Sequence, residues 1–252
     1  MTSIPNKGRF SRDRWLVGAT LAAVIALCWG WIAPMALDMY GPMTGCSAWM
    51  MTPTWDFTHQ ALLFAMWAVM MIGMMLPSAA PAVFLYASIV RRNAESERVL
   101  ARVFAFAAGY LVVWTIFSLI ATALQLGLTK ASLLSPMMEL RSRWSGAGLV
   151  LIAGAYQLTP WKRKCLECCR CPVDHTGAFQ SGMRNGISCL GCCWALMLLL
   201  FVGGVMNLWW LSALTIFVVL EKLTAHCSQG ARLSGVLLLA SGVWILRYEM
   251  MA

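Results

Sequence analysis

The sequence has few charged residues, and acidic ones are the scarcest. Only 12% of its 252 residues are charged, with 10 Asp and Glu against 19 Lys and Arg, whereas a soluble globular domain has about 25% charged residues. Hydrophobic residues make up 60%, and the mean hydropathy is +0.72. This composition predicts a polytopic membrane protein embedded in the lipid bilayer, and it leaves few residues for a soluble domain.

Several motifs that would assign a function are also missing. The sequence has no G-x-x-x-x-G-K-[ST] motif, so no ATP site is indicated, and no catalytic residue is predicted. No basic run is long enough, or interleaved with aromatic residues, to indicate nucleic-acid binding. No internal repeat supports a transporter built from inverted repeats. The apolar stretch after residues 1–14 exceeds a signal-peptide core and lacks a cleavage pattern, so we interpret it as an uncleaved first span.

Apolar segments recur along the whole chain. They are predicted as membrane spans at residues 16–37, 59–90, 103–128, 144–161, 184–202, 207–223 and 233–248. Most have about the 17–25 residues needed to cross a bilayer, and the longer second span can tilt or bend at Pro77 and Pro81. We therefore predict an all-α polytopic membrane helical bundle of about seven transmembrane helices. It forms a single domain over residues 1–252, with a cysteine-rich polar loop at 162–183.

The basic residues predict how the spans are oriented. With the N-terminus in the cytoplasm, 15 of the 19 Lys and Arg fall on the cytoplasmic side and four on the outside. Short cytoplasmic loops of membrane proteins carry an excess of positive charge. The sequence therefore predicts a cytoplasmic N-terminus and a cytoplasmic cysteine-rich loop.

The stretch from Gly186 to Met197 contains three cysteines at the start of an apolar run. Residues three and four apart share one face of a helix, so Cys189, Cys192 and Cys193 are expected to point the same way, into the bundle. Thiolates grouped in this way suit the soft ions Cu(I) and Zn(II). The alternative is that each buried cysteine is simply a small apolar residue.

A second group of cysteines lies in the predicted loop. Its C-x-x-C-C-x-C spacing comprises Cys165, Cys168, Cys169 and Cys171. Zinc takes four such ligands, and Cu(I) accepts two or three. The basic residues nearby, Lys162, Arg163, Lys164 and Arg170, are expected to lower the pKa values of these thiols. The alternative is a lipid-modified or incidental cysteine-rich loop.

Methionines line the second span. Met66, Met70 and Met74 follow one another at intervals of four residues, and His59 precedes them at the predicted outer end. A thioether is a neutral soft ligand that selects Cu(I), and the outer segment at residues 38–58 is also rich in methionine. The alternative is that methionine fills space in the core.

The inner end of the sixth span carries Glu221 and Lys222, followed by His226 and Cys227. An ionisable residue inside a membrane points to a functional site, so Glu221, His226 and Cys227 are candidate ligands of an inner cluster. Alternatively, Glu221 lies at the membrane boundary and Lys222 extends its ammonium to the interface.

Taken together, these segments resemble a known family. The shared residues are Trp67, Met70, Met71, Met74, Met75 and Pro77, the Gly186-x-x-Cys189-x-Gly191-Cys192-Cys193-Trp194-x-Leu196-Met197 segment, Gly204, Met206, Asn207, Glu221 and Lys222. The chain is similar to an uncharacterised bacterial family of predicted metal-binding integral membrane proteins. The resemblance implies a multi-pass protein of the bacterial inner membrane that binds a metal. It does not extend to the cysteines at 165–171.

The leading functional hypothesis is soft-metal handling at the membrane, with copper(I) as the metal and zinc as the alternative. Methionines of the second span would admit the ion, and the two cysteine groups would receive it in turn. The partner would be a metallochaperone or another membrane protein. Two other hypotheses stay open: a thiol–disulfide electron relay through the C-x-x-C spacings, and an accessory factor that metallates or assembles another membrane enzyme.

Overall fold

Helices make up nearly all of the chain that is described by this computed structural model, which covers residues 7–39, 41, 56–92, 99–135, 137–170, 177–223 and 227–251. They are α1 (Lys7–Met39), α2 (Phe57–Arg92), α3 (Val99–Lys130), α4 (Arg143–Leu158), α5 (Pro160–Arg170), α6 (Ala178–Leu198), α7 (Leu200–Gly203), α8 (Leu208–Leu223) and α9 (Cys227–Met251). Over these ranges the all-α prediction is confirmed.

Within the described residues, five helical segments are long and apolar enough to cross a membrane. They are Arg12–Met39, Phe57–Arg91, Val99–Lys130, Ala178–Gly203 and Gly230–Tyr248, and each overlaps a span predicted from the sequence. The other two predicted spans coincide with α4 and α8, which have 16 residues each. At 1.5 Å per residue, such a helix extends about 24 Å, less than the ~30 Å of a hydrocarbon core. The seven-span topology therefore stays a prediction.

The packing of α6 against α3 depends on glycine. A Cβ added at Gly182 would lie 1.9 Å from the carbonyl oxygen of Phe106, and one at Gly109 would lie 2.2 Å from that of Phe179. Only glycine allows the two backbones to approach so closely, which is a mode of packing common between helices in membranes. This contact places the cysteine face of α6 beside α3.

Proline interrupts the hydrogen-bond ladder of α2 without ending the helix. Because Pro77 has no N–H, the carbonyl of Gly73 has no partner one turn further along its own helix. The indole Nε1 of Trp29, in α1, donates to this carbonyl at 3.2 Å. A side chain of α1 thus replaces the missing bond, and α2 continues to Arg92.

The cysteine-rich stretch is helical where the sequence indicated a polar loop. In α5, Lys162, Leu166 and Cys169 are buried, while Cys168 is exposed. These three buried positions lie four and three residues apart, which is the spacing of one helical face. Four charged residues on the other positions made the stretch look like a loop, although its buried face packs against α6.

Candidate metal centre

Three thiols from two helices converge inside the bundle. The Sγ atoms of Cys169 in α5 and of Cys189 and Cys192 in α6 all lie within 4.8 Å of one another, and all three residues are buried. Thiolates about 2.3 Å from one metal ion are separated by about 4 Å. This sulfur triad therefore has the composition and the spacing to hold one soft ion.

A lysine ammonium lies against the sulfur triad. Lys222 Nζ is 2.8 Å from Cys189 Sγ and 2.8 Å from Ser78 Oγ. The Lys222 side chain is buried, so its ammonium is enclosed by protein and not extended into solvent. An ammonium in a buried site offsets negative charge nearby. Charge compensation for bound thiolates is therefore built into the site.

Tyr110 and Ser78 connect the triad to α2. The Tyr110 hydroxyl lies 3.0 Å from Cys189 Sγ and donates to the carbonyl of Met75 at 3.3 Å. Ser78 Oγ donates to the same carbonyl at 2.8 Å. These hydrogen bonds fix the position of Cys189 relative to the methionine-rich segment of α2.

Glu221 forms a separate ion pair. Glu221 Oε2 accepts a hydrogen bond from Lys162 Nζ at 2.9 Å, Oε1 lies 2.7 Å from the same ammonium, and both residues are buried. Because Lys162 begins the buried face of α5, this pair anchors α5 to α8. Glu221 and Lys222 are adjacent in sequence, yet one anchors the helix that carries Cys169 and the other faces Cys189.

The basic residues of α5 do not lower the pKa of Cys165, contrary to expectation. Partial burial raises the pKa of Cys165, and the nearby Cys168 raises it further, while Lys162 is paired with Glu221. Hydrogen bonds with the thiols of Cys189 and Cys192, followed by burial, also raise the pKa of Cys169. Metal binding at Cys169 therefore has to displace a proton.

The other predicted ligands lie at various depths. Cys193 is buried, and its Sγ is 4.0 Å from Met75 Sδ. Cys165 is half-buried, with its sulfur against Gly191, and Cys168 is exposed. Met66, Met70 and Met74 are fully buried on α2, and His59 is buried near the start of that helix.

Three further predicted ligands lie outside the residues or side chains that the structure describes. Cys171 and His226 lie outside the described residues, and so does most of the methionine-rich outer segment at 38–58. Cys227 begins α9, but its side chain is not described.

Sequence reasoning missed several residues around the triad. Ser78, Tyr110 and Met75 had no assigned role, and Lys222 was weighed as an interfacial lysine. A lysine near the end of an apolar run was a usable signal, since a charge at that position needs a partner. Nothing in the sequence identified Cys189 as that partner, because the contact joins α8 to α6.

Comparison with known proteins places this chain in a family. No curated protein and no solved structure gives a significant match to the chain. A family described as "PpoB2: Copper chaperone" matches residues 64–245, a range that contains α3 to α8, most of α2 and all three triad cysteines. This agrees with the predicted metal-binding family. Because the match covers well over half of the 252 residues, the chain belongs to the PpoB2 copper chaperone family.

Proposed function

We propose that the protein is a membrane-embedded chaperone that holds Cu(I) in the sulfur triad. The observation that carries this proposal is the convergence of three buried thiols, Cys169, Cys189 and Cys192, within 4.8 Å. Soft sulfur ligands select Cu(I), and the family description names copper. The protein's role is to bind the ion and pass it on.

The number of ligands in the triad favours Cu(I), which accepts two or three thiolates. Lys222, 2.8 Å from Cys189, offsets one of the negative charges that bound thiolates carry. Structural Zn(II) sites instead take four ligands, and the triad supplies three.

The arrangement of sulfur across the bundle suggests a route. Met66, Met70 and Met74 are buried along α2 and would guide Cu(I) inward from the outer side. The triad would hold the ion, and the more accessible Cys165 and Cys168 of α5 would present it to an acceptor protein. This acceptor is a metallochaperone or another membrane protein on the cytoplasmic side, given the positive-inside orientation.

The proposal is tested by removing one thiol at a time. Purified, reduced protein in detergent is titrated with Cu(I) against a chromophoric Cu(I) chelator. Cys169→Ser, Cys189→Ser and Cys192→Ser are each expected to lower the Cu(I) affinity by more than about 100-fold, because a direct ligand contributes more than the surrounding groups. Cys28→Ser is the matched control, because Cys28 is a buried cysteine of α1 outside the proposed route, and it keeps wild-type affinity. Wild-type affinity in all three triad variants would contradict the proposal.

The route along α2 has its own test, which also addresses the electron-relay alternative. Replacing Met66, Met70 and Met74 by Leu conserves volume and costs less than about 1.5 kcal/mol at each site. Under the copper proposal, the triple variant stays in the membrane but loads copper poorly in cells. A relay needs a dithiol and no methionines. Normal copper loading in the triple variant would make the methionine stripe a packing feature.

A further inference from the structure

We propose a second sulfur site, formed by Met75 of α2 and Cys193 of α6, that binds Cu(I) beside the sulfur triad and excludes Zn(II). The inference rests on the proposed function and adds a second position for the ion. It begins from one contact: Cys193 Sγ lies 4.0 Å from Met75 Sδ, and both residues are fully buried. Two sulfurs about 2.3 Å from one ion are about 4.0 Å apart when the S–ion–S angle is near 120°.

Cys192 and Cys193 are adjacent in α6, but they contact cysteine and methionine side chains of different helices. The thiols of Cys192 and Cys193 donate to the same acceptor, the carbonyl of Cys189, at 3.0 and 2.9 Å. Cys192 joins Cys169 of α5 in the triad, whereas Cys193 faces Met75 of α2. The second site thus adds a donor from α2 and lies directly beside the triad, because the Cys193 thiol also contacts the thiols of Cys189 and Cys192.

The backbone at Met75 is held in place by hydrogen bonds. Its carbonyl accepts from Ser78 Oγ at 2.8 Å and from the Tyr110 hydroxyl at 3.3 Å. The same Tyr110 hydroxyl lies 3.0 Å from Cys189 Sγ. Tyr110 therefore links the Met75 backbone, at the second site, to Cys189 Sγ in the triad. These hydrogen bonds hold the backbone from which the Met75 side chain extends.

The donor set determines which ion this site takes. One thioether and one thiolate suit Cu(I), which accepts few, soft ligands, while Zn(II) in proteins is bound by thiolate, imidazole and carboxylate. When Cu(I) binds, the Cu–S bond to Cys193 replaces its S–H bond, and the proton leaves to solvent. The triad can accept either metal, but the second site is specific for Cu(I).

The test compares Cu(I) and Zn(II) stoichiometry in full-length, reduced protein in detergent. Met75→Leu and Cys193→Ser are each expected to bind one Cu(I) fewer than wild type and the same amount of Zn(II). Met206→Leu is the matched control, because Met206 is also a buried methionine, and it behaves as wild type. Leu in place of Met conserves volume, and unchanged Zn(II) binding verifies that the variants fold.

A spectroscopic measurement identifies the thioether directly. In protein grown with selenomethionine, copper-edge X-ray absorption should show a Cu–Se contribution that decreases in Met75→Leu and not in Met206→Leu. An unchanged Cu(I) stoichiometry and Cu–Se contribution in Met75→Leu would overturn the second site alone. A parallel loss of Zn(II) binding would also overturn it, since Met75 would then support the triad. No Cu(I) binding by wild type would overturn the proposed function itself.

Discussion

The central helices α2 and α6 and the outer helices α1 and α9 have different surroundings, although all four are apolar. In their most apolar stretches, 56% of the residues are buried in α2 and in α6, but only 22% in α1 and in α9. Mean hydropathy does not separate the pairs, since it is 2.1 for α1 and 2.2 for α6. Hydropathy therefore indicates which helices can enter a membrane but not which ones form the interior. In this bundle, the two interior helices carry rows of buried sulfur, the methionines of α2 and the cysteines of α6.

The largest expected effect on stability comes from adding a methyl group at a glycine of a central helix, compared with the same change in an outer helix. In Gly182→Ala, the new Cβ would lie 1.9 Å from a backbone oxygen of α3, so α6 has to move and the free energy of unfolding falls by about 3 kcal/mol or more. Gly230→Ala in α9 meets no atom within 4 Å and should raise that free energy by about 0.5–1 kcal/mol. Unfolding in detergent measures both. Equal effects would show that the two helices are equally constrained.

The next effect concerns charge in the interior. Lys222→Met removes the ammonium 2.8 Å from Cys189 Sγ, which leaves thiolate charge uncompensated. We expect the Cu(I) affinity to fall about 10–100-fold, as is typical when a group next to a metal ligand is removed. Arg232→Met changes an exposed cation at the start of α9 and should leave the affinity unchanged. If both variants bind alike, Lys222 has no electrostatic role at the site.

The dependence on pH follows from the surroundings of Cys169. Its pKa is raised by hydrogen bonds with neighbouring thiols and by burial, so its thiol is protonated at neutral pH and gives up a proton when metal binds. The metal affinity should therefore rise with pH, by about tenfold per unit for each displaced proton, until the pKa is passed. Chelator competition at several pH values measures the slope. Cys169→Ser should reduce the slope by about one proton, while Cys168→Ser, at the exposed neighbour, should not.

The sequence was sufficient to predict the sulfur face of α6. The spacing of Cys189, Cys192 and Cys193 places them on one side of a helix whatever surrounds it, and all three are buried. It could not predict which cysteine of α5 joins them. That choice depends on the phase of a short helix whose charged residues resembled a loop, and the phase is set by the ion pair between Lys162 and Glu221. Such contacts between distant segments leave no local pattern.

The smallest expected effect tests the contact between an outer and a central helix. Trp29→Phe removes the indole N–H that donates to the Gly73 carbonyl at 3.2 Å, and leaves that carbonyl without the bond that Pro77 cannot make. We expect a cost of about 0.6–1 kcal/mol in the free energy of unfolding. Trp31→Phe is the control, because Trp31 is an exposed tryptophan of the same helix, and it should cost less.

The role of the indole can be isolated by restoring the backbone bond. Pro77→Ala returns an N–H to α2 at the position from which it can donate to Gly73. In that background, Trp29→Phe should cost almost nothing, and the double-mutant cycle should give a coupling energy close to the single-variant cost. If Trp29→Phe is equally destabilising in the wild type and in the Pro77→Ala background, α1 holds α2 by packing alone. The hydrogen bond would then contribute nothing to the continuity of the central helix.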